Sequence, residues 1–433
     1  MPQNTRAASR GYRAVLRVPE FRAVLAAHLL SLLGIVVAEV ALTVLVYQLT
    51  RSPLLSALTF ALGFLPHLLG GTLGASVADR FPARRVLVGC DLLCAACAAV
   101  MVLPGSPVAL LLALRCVMAA VAPVFHGTRT AALADILGGG SAYVLGRSLL
   151  RIVSQSTLIA GFGVGGAVLA AVSPRRALCL TAGAFLVSAL LLRLGTRARP
   201  ARAAAAGAVL AGSLAGARLL LGDRRVRALM LMFWVPPLFV VAPEALAAPY
   251  ADARGFGPEA LGLLLGGMAA GHVGAELWAG SRLGPRARSR IVLPCAVAGL
   301  VPLVGYAARP GLAACLVLLV LAGAGGAYLV GLDAWFVAAV PEELRGRAMT
   351  LVASGTMTVQ GVGMALAGLA AEFADAHLVV AGAGVLGIVC TALLAREVRR
   401  SGAGGGRGAA GAAASPAAPT EGRDGADHDM TNR

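Results

Sequence analysis

The chain contains no lysine. All 37 of its basic residues are arginine, set against only 20 acidic ones, for a formal net charge of +17. Charged residues make up 13% of the 433 positions and aromatics 5%, whereas hydrophobic residues make up 58%. A soluble domain carries about one-quarter charged residues, so the shortage of charge excludes an ordinary water-soluble fold. A basic excess can mark a nucleic-acid binder, but only where the arginines gather on one water-facing surface. Here they sit in the gaps between apolar runs, and no nucleic acid is expected as a partner. The eight cysteines (Cys90, Cys94, Cys97, Cys116, Cys179, Cys295, Cys315, Cys390) all fall inside apolar segments, where a thiol packs as a small polarizable group. They imply no disulfide framework. Cys94 and Cys97 form a CxxC without further ligands nearby, so no metal and no other cofactor is expected. The sequence also lacks a G-x-x-x-x-G-K-[ST] loop, which excludes ATP-driven work by this chain alone. It has no HExxH, Ser/His/Asp or paired-carboxylate constellation, and no enzyme is expected.

What the sequence does have is long apolar runs and a mean hydropathy of +0.83. A bilayer crossing takes about 20 apolar residues. Runs of that kind occur near 23–48, 53–77, 86–104, 108–126, 152–172, 177–195, 228–248, 258–280, 291–307, 311–331, 349–370 and 378–395. They predict an all-α polytopic membrane protein of twelve transmembrane helices, arranged in a lipid bilayer as two pseudo-symmetric six-helix bundles. The expected organisation is a basic leader at 1–22, one bundle at 23–195, a linker at 196–227, a second bundle at 228–396 and a disordered tail at 397–433. Segment 1–22 has no apolar region and cleavage site of the signal-peptide kind, so it reads as a retained leader. With both termini inside, 31 arginines fall in inner segments, five in outer loops and one, Arg115, inside a span. That asymmetry predicts cytoplasmic N and C termini in a bacterial plasma membrane. Glycine is abundant, with 55 residues, and is dense in spans five (Gly161, Gly163, Gly165, Gly166) and eleven (Gly361, Gly363, Gly368). Small residues let helices in lipid approach closely, for static packing or for sliding alike.

After the second run the chain reads Gly74-Ala-Ser-Val-Ala-Asp79-Arg80-Phe-Pro-Ala-Arg84-Arg85. This resembles the loop 2–3 signature of the major facilitator superfamily, G-x-x-x-(x)-D-R-x-x-x-R-R, in its place along the chain as well as in its letters. Arg282 and Arg286 repeat the spacing of Arg80 and Arg84 after span eight, with Ser281 in place of the aspartate, as a duplicated six-helix unit would leave. Val240-Val-Ala-Pro-Glu244-Ala-Leu-Ala-Ala-Pro-Tyr250 and Pro341-Glu-Glu-Leu-Arg345-Gly-Arg347 are similar to the drug and macrolide efflux branch. The resemblance implies that Gly74, Asp79, Arg80, Arg84, Arg85 and Arg345 form a cytoplasmic gate, with the carboxylate latched near the start of span eleven. The arginines also serve as topology determinants, and the two readings are compatible.

A charge in the bilayer centre costs about 2.5–3.5 kcal/mol, so intramembrane charges are functional candidates. Glu39 and Arg115 sit at matched depths, about 10–14 Å below the outer surface at 1.5 Å per residue. His28, eleven residues before Glu39, shares its helical face with Thr43 one turn beyond. Glu39 is read as the site of a coupling proton or a cationic substrate, with Arg115 tuning it; the alternative is a static ion pair. Glu244 is expected to line the exit of the cavity, and Asp91 to brace the gate arginines. The resemblance to the efflux branch, with a binding region poor in carboxylates, implies a secondary transporter that exports a small, mostly hydrophobic organic compound, with H+ as coupling ion and a monomer as working unit. The alternative is an importer or facilitator of a small polar solute on the same fold.

Overall fold

In a computed structural model the chain is described over residues 13–64, 81–138, 141–197, 199, 222–341 and 344–402, and these residues hold helices and no strand. The first six helices are α1 (Pro19–Thr50), α2 (Pro53–Phe64), α3 (Ala83–Val102), α4 (Val108–Leu137), α5 (Ser141–Ala171) and α6 (Pro174–Gly195). The second six are α7 (Arg224–Ala253), α8 (Pro258–Arg282), α9 (Pro285–Ala308), α10 (Leu312–Ala339), α11 (Arg345–Ala370) and α12 (Ala376–Arg400). Ten helices among the described residues are long and apolar enough to cross a membrane. The other two elements, Pro53–Phe64 and the apolar stretch Ala160–Ala171 of α5, are shorter. The sequence run 53–77 extends beyond α2, and its continuation lies outside the described residues.

Local chemistry sets the ends of these helices. Proline opens α1, α6, α8 and α9 within their first turn, where its missing N–H and fixed φ cost nothing. The helix α1 stops at Arg51, whose backbone turns left-handed (φ 56°) and donates its N–H to the Tyr47 carbonyl at 2.8 Å. Three second-bundle helices are interrupted. In α7, Pro236 and Pro237 lie inside the first segment and Pro243 opens a one-turn piece, Ala242–Ala245. Each proline removes an N–H from the ladder, which bends the helix and frees carbonyls where neighbouring helices can satisfy them.

The helix α1 is the enclosed centre of the first bundle, packed against α2, α5 and α6 and burying Phe21, Val36, Val40, Leu42 and Val46. The second bundle packs Phe233 edge-on to Phe336, with ring centroids 5.6 Å apart. Large apolar side chains also cover the outside, among them Leu186 and Leu194 on α6, Leu277 and Trp278 on α8 and Leu393 on α12. In water this surface would aggregate; against acyl chains it is the ordinary solvent-facing side of a membrane protein.

The bundles are clasped at the end opposite the termini. There α5 lies on α8 with almost no gap, because a Cβ at Gly166 would stand 2.6 Å from the Gly262 Cα. On the other flank α11 crosses α2, where a Cβ at Gly368 would stand 3.0 Å from the Leu54 Cα. Polar contacts finish the closure: Ser52 Oγ and the Leu54 N–H donate to Glu372, the latter at 3.0 Å, and Arg51 reaches Asp252 at 3.1 Å. Thus Gly166 and Gly368, from the two glycine-dense spans, meet the opposite bundle. Gly161 and Gly165 instead admit Val36 and Val40 of α1.

Candidate functional site

Two charged side chains lie together in the first bundle. Arg115 of α4 donates from Nη2 to Glu39 Oε1 of α1 at 2.6 Å, with the side chains 8% and 11% exposed. Among the described residues Arg115 Nε is buried with no hydrogen-bond partner. The pair is roofed by α2 at Gly63, where a Cβ would collide with Arg115 Nη2 and stand 3.1 Å from Glu39 Oε1. A side chain at that position would force the guanidinium to shift. Thr43 donates its hydroxyl to the Glu39 carbonyl at 2.8 Å, continuing the polar stripe along α1.

Glu244, in the short helical turn after the prolines of α7, is within electrostatic range of Glu39. It is half-buried, and among the described residues no hydrogen bond or ion pair to it is found. That turn packs on α2 and α11, so residues from both bundles converge here. Glu39, Arg115 and Glu244 thus offer two carboxylates and one guanidinium at the junction of the bundles.

His28 stands at the other end of the stripe and does not reach Glu39. It is 2% exposed; its Nε2 meets Ser154 Oγ of α5 at 2.8 Å and its Nδ1 meets Arg129 of α4. The Arg129 guanidinium also lies over the Phe125 ring, 4.1 Å from the centroid. Arg129 stands at the end of the apolar part of α4, Val108–Arg129, where the arginine count put it beyond the run. It is 5% exposed inside α4, because that helix runs on to Leu137, well past the apolar run that ends near residue 126.

Asp91 also departs from expectation. Among the described residues its partners are not the gate arginines but the hydroxyls of Ser31 of α1, at 3.0 Å, and Ser188 of α6, at 2.5 Å, and it is 1% exposed. The cause is depth: six residues of helix separate it from Arg85, about 9 Å at 1.5 Å per residue. Sequence reasoning missed Ser31, Ser188, Ser154 and Arg129 as partners. The signal available was periodicity, since Ser31 lies one turn from His28 and two turns from Glu39 on the stripe of α1.

Of the gate residues, Gly74, Asp79 and Arg80 lie outside the described residues. Arg84 and Arg85 open α3, and Arg84 borders a small cavity with Glu20, Asp135 and Arg199. Arg199 forks onto Glu20 with contacts of 2.6 and 2.9 Å, pinning the start of the linker to the first turn of α1. Arg345 opens α11 and donates from Nε to the Val337 carbonyl at 3.2 Å. His272 and Glu276 face one another one turn apart at 3.6 Å. Among the described residues no group of three or more His, Cys, Asp or Glu is placed to hold a metal ion.

Twelve helices among the described residues, in two bundles of six, agree with the family comparison. The family model of the Major Facilitator Superfamily matches residues 24–308 and 245–421. The chain belongs to this superfamily. No curated protein matches the sequence. Among solved structures, a variant of the nucleoside transporter NupG superposes with a TM-score of 0.71 at 13% identity, covering 86% of this chain and 99% of that one. A bacterial homologue of the human lysosomal transporter Spinster, inward-facing and occupied, gives 0.62 at 15% identity over 91% and 96%. A variant of the peptide transporter POT in complex with alafosfalin gives 0.65 at 15% identity over 88% and 95%. At such identities these likenesses concern the fold. The superfamily member is a multi-pass membrane protein of transporter type, and its relatives transport rather than transform their small-molecule substrates.

Proposed function

We propose that this superfamily member is a proton-coupled exporter of a small, mostly hydrophobic organic compound, working as a monomer by alternating access in a bacterial plasma membrane. The observation that carries the reading is the buried Glu39–Arg115 pair facing Glu244 at the junction of the bundles. Charges are kept in such a place only at a cost of about 2.5–3.5 kcal/mol each, and a transport site is a use that repays it. With termini cytoplasmic, the clasp of Ser52, Leu54 and Arg51 with Glu372 and Asp252 lies on the outer side. The conformation is then closed outward, and Asp79, Arg80, Arg84, Arg85 and Arg345 act at the inner gate. In this reading Glu39 takes part in binding the coupling proton or the substrate, Arg115 holds it in place, His28 extends the polar stripe inward and Glu244 lines the cavity from the second bundle.

The test is accumulation of a panel of lipophilic cationic and neutral compounds in cells expressing the chain or its Asp79→Ala variant, with and without a protonophore. Export predicts lower accumulation that needs both Asp79 and the proton gradient. Uptake of nucleosides or short peptides, raised by the chain, would instead favour import of a polar solute. The nucleoside and peptide transporters among its structural likenesses make that the second reading.

A further inference from the structure

The hydroxyls around Asp91 can be counted for hydrogens. Asp91 Oδ2 lies 2.5 Å from Ser188 Oγ, Ser188 Oγ lies 2.8 Å from Ser31 Oγ, and Ser31 Oγ lies 3.0 Å from Asp91 Oδ1. The four oxygens form a ring with three contacts at hydrogen-bonding distance, and each contact needs one hydrogen. The two serines supply two. Both hydroxyls also lie near the Ala27 carbonyl, at 2.9 and 3.1 Å, which competes for the same two hydrogens and deepens the shortage. Of the five contacts an ionised carboxylate leaves three without a hydrogen, and a neutral acid leaves two. A neutral carboxylic acid supplies the third hydrogen of the ring: Asp91 donates to Ser188, Ser188 to Ser31, and Ser31 back to Asp91.

A second arrangement is within reach. Asp91 and Arg129 border one cavity of about 30 Å³, also lined by Ser31, Phe125 and Met118. Such a space holds about one or two water molecules. The titratable groups facing Asp91 are Cys90 and Cys94 from its own helix and Arg129 from α4, which carries His28 of α1 beside it; α6 offers only the Ser188 hydroxyl. Once Asp91 gives its proton to cavity water, the cation able to compensate it is Arg129, which would leave the ring of Phe125 and the imidazole of His28.

We propose that Asp91 is a proton-carrying site of the transport cycle, neutral when Ser31 and Ser188 close the hydroxyl ring and ionised when it turns to Arg129. The proposal goes beyond the Glu39 reading and depends on neither the substrate nor the direction of transport. Loss of the proton removes the hydrogen between the two serines, which then both donate to the carboxylate, and draws Arg129 of α4 towards Asp91. Proton binding is thereby converted into a change of helix partners inside one bundle.

The experiment is infrared difference spectroscopy of the full chain in lipid nanodiscs across a pH series. A carbonyl band of a neutral carboxylic acid is expected at pH 7, lost in Asp91→Asn and retained in Glu39→Gln. Asparagine can close the same ring, its amide N–H donating to Ser188 and its carbonyl accepting from Ser31, so the fold is preserved. If Asp91→Asn nonetheless fails to fold, Ser188→Ala serves: it removes the acceptor of the acid proton and should move the band to higher frequency. Equal band intensity in the parent and Asp91→Asn, or an unmoved band in Ser188→Ala, overturns the proposal. A negative accumulation assay would defeat the exporter reading and leave this band in place.

Discussion

Substituting alanine at Gly262 should loosen the clasp at the end opposite the termini. The new Cβ would stand 2.7 Å from the Gly166 Cα, 2.8 Å from the Phe162 carbonyl oxygen and 3.0 Å from the Gly166 nitrogen. Ordinary carbon contacts lie at about 3.5–4.0 Å, so α5 and α8 must separate by about 1 Å, and the obstacle is backbone, which has no rotamer to yield. Overpacking of this kind costs about 1–3 kcal/mol. The gain in helix propensity from Gly to Ala, about 1 kcal/mol, applies in both conformations and cancels. The clasped state should therefore lose population by about 5–150-fold relative to the unclasped one. The assay is disulfide formation between Ser52→Cys and Glu372→Cys, which meet only when the clasp is shut, in a background without the eight native cysteines. The cross-linking rate follows the clasped fraction and should fall, by up to that factor, when Gly262→Ala is added. An unchanged or faster rate would refute the claim that backbone contact between α5 and α8 holds this end closed.

Other substitutions separate strong contacts from weak ones. Glu39→Gln leaves Arg115 buried beside a neutral partner and should cost about 3–5 kcal/mol in denaturation of the purified protein; Glu39→Gln with Arg115→Met should recover much of it. A single variant as stable as the parent would contradict this. Gly63→Ala should separate the same pair by pushing into the guanidinium, lowering stability in the parent but far less once Arg115 is already methionine. Asp252→Asn should shift the cross-linking rate by no more than the about 0.2–1 kcal/mol of a solvated pair, because its contact with Arg51 is exposed.

The twelve spans were legible because twenty-residue apolar runs leave few other structures in a bilayer, and the pairing of two depth-matched charges on α1 and α4 could be suspected from arithmetic on helical rise. The helix α5 runs over Ser141–Ala171 and so takes in nearly all of the run 152–172, whereas of the run 53–77 the described helix covers Pro53–Phe64. Hydropathy cannot show how far a helix passes beyond its apolar run, and α4 continues to Leu137, past the run that ends near 126. The Asp91 ring was invisible for a different reason. Its members come from three helices separated by 60 and 97 positions, and a serine in an apolar run carries no mark of what it faces. The roles of Gly166 and Gly262 were half legible: density of small residues announces close approach, but which neighbour approaches is settled only by the packing of α5 on α8.

The Glu39–Arg115 pair also has a consequence for biosynthesis. Its members are 76 residues apart, so at about 5–20 residues per second the ribosome delivers the arginine roughly 4–15 s after the glutamate. During that interval the first helix must wait in the translocon or lipid with an uncompensated carboxylate. Loss of Arg115 should then register first as poor yield of inserted protein and only second as poor transport. Expression level becomes a readout of the ion pair that needs no knowledge of the cargo.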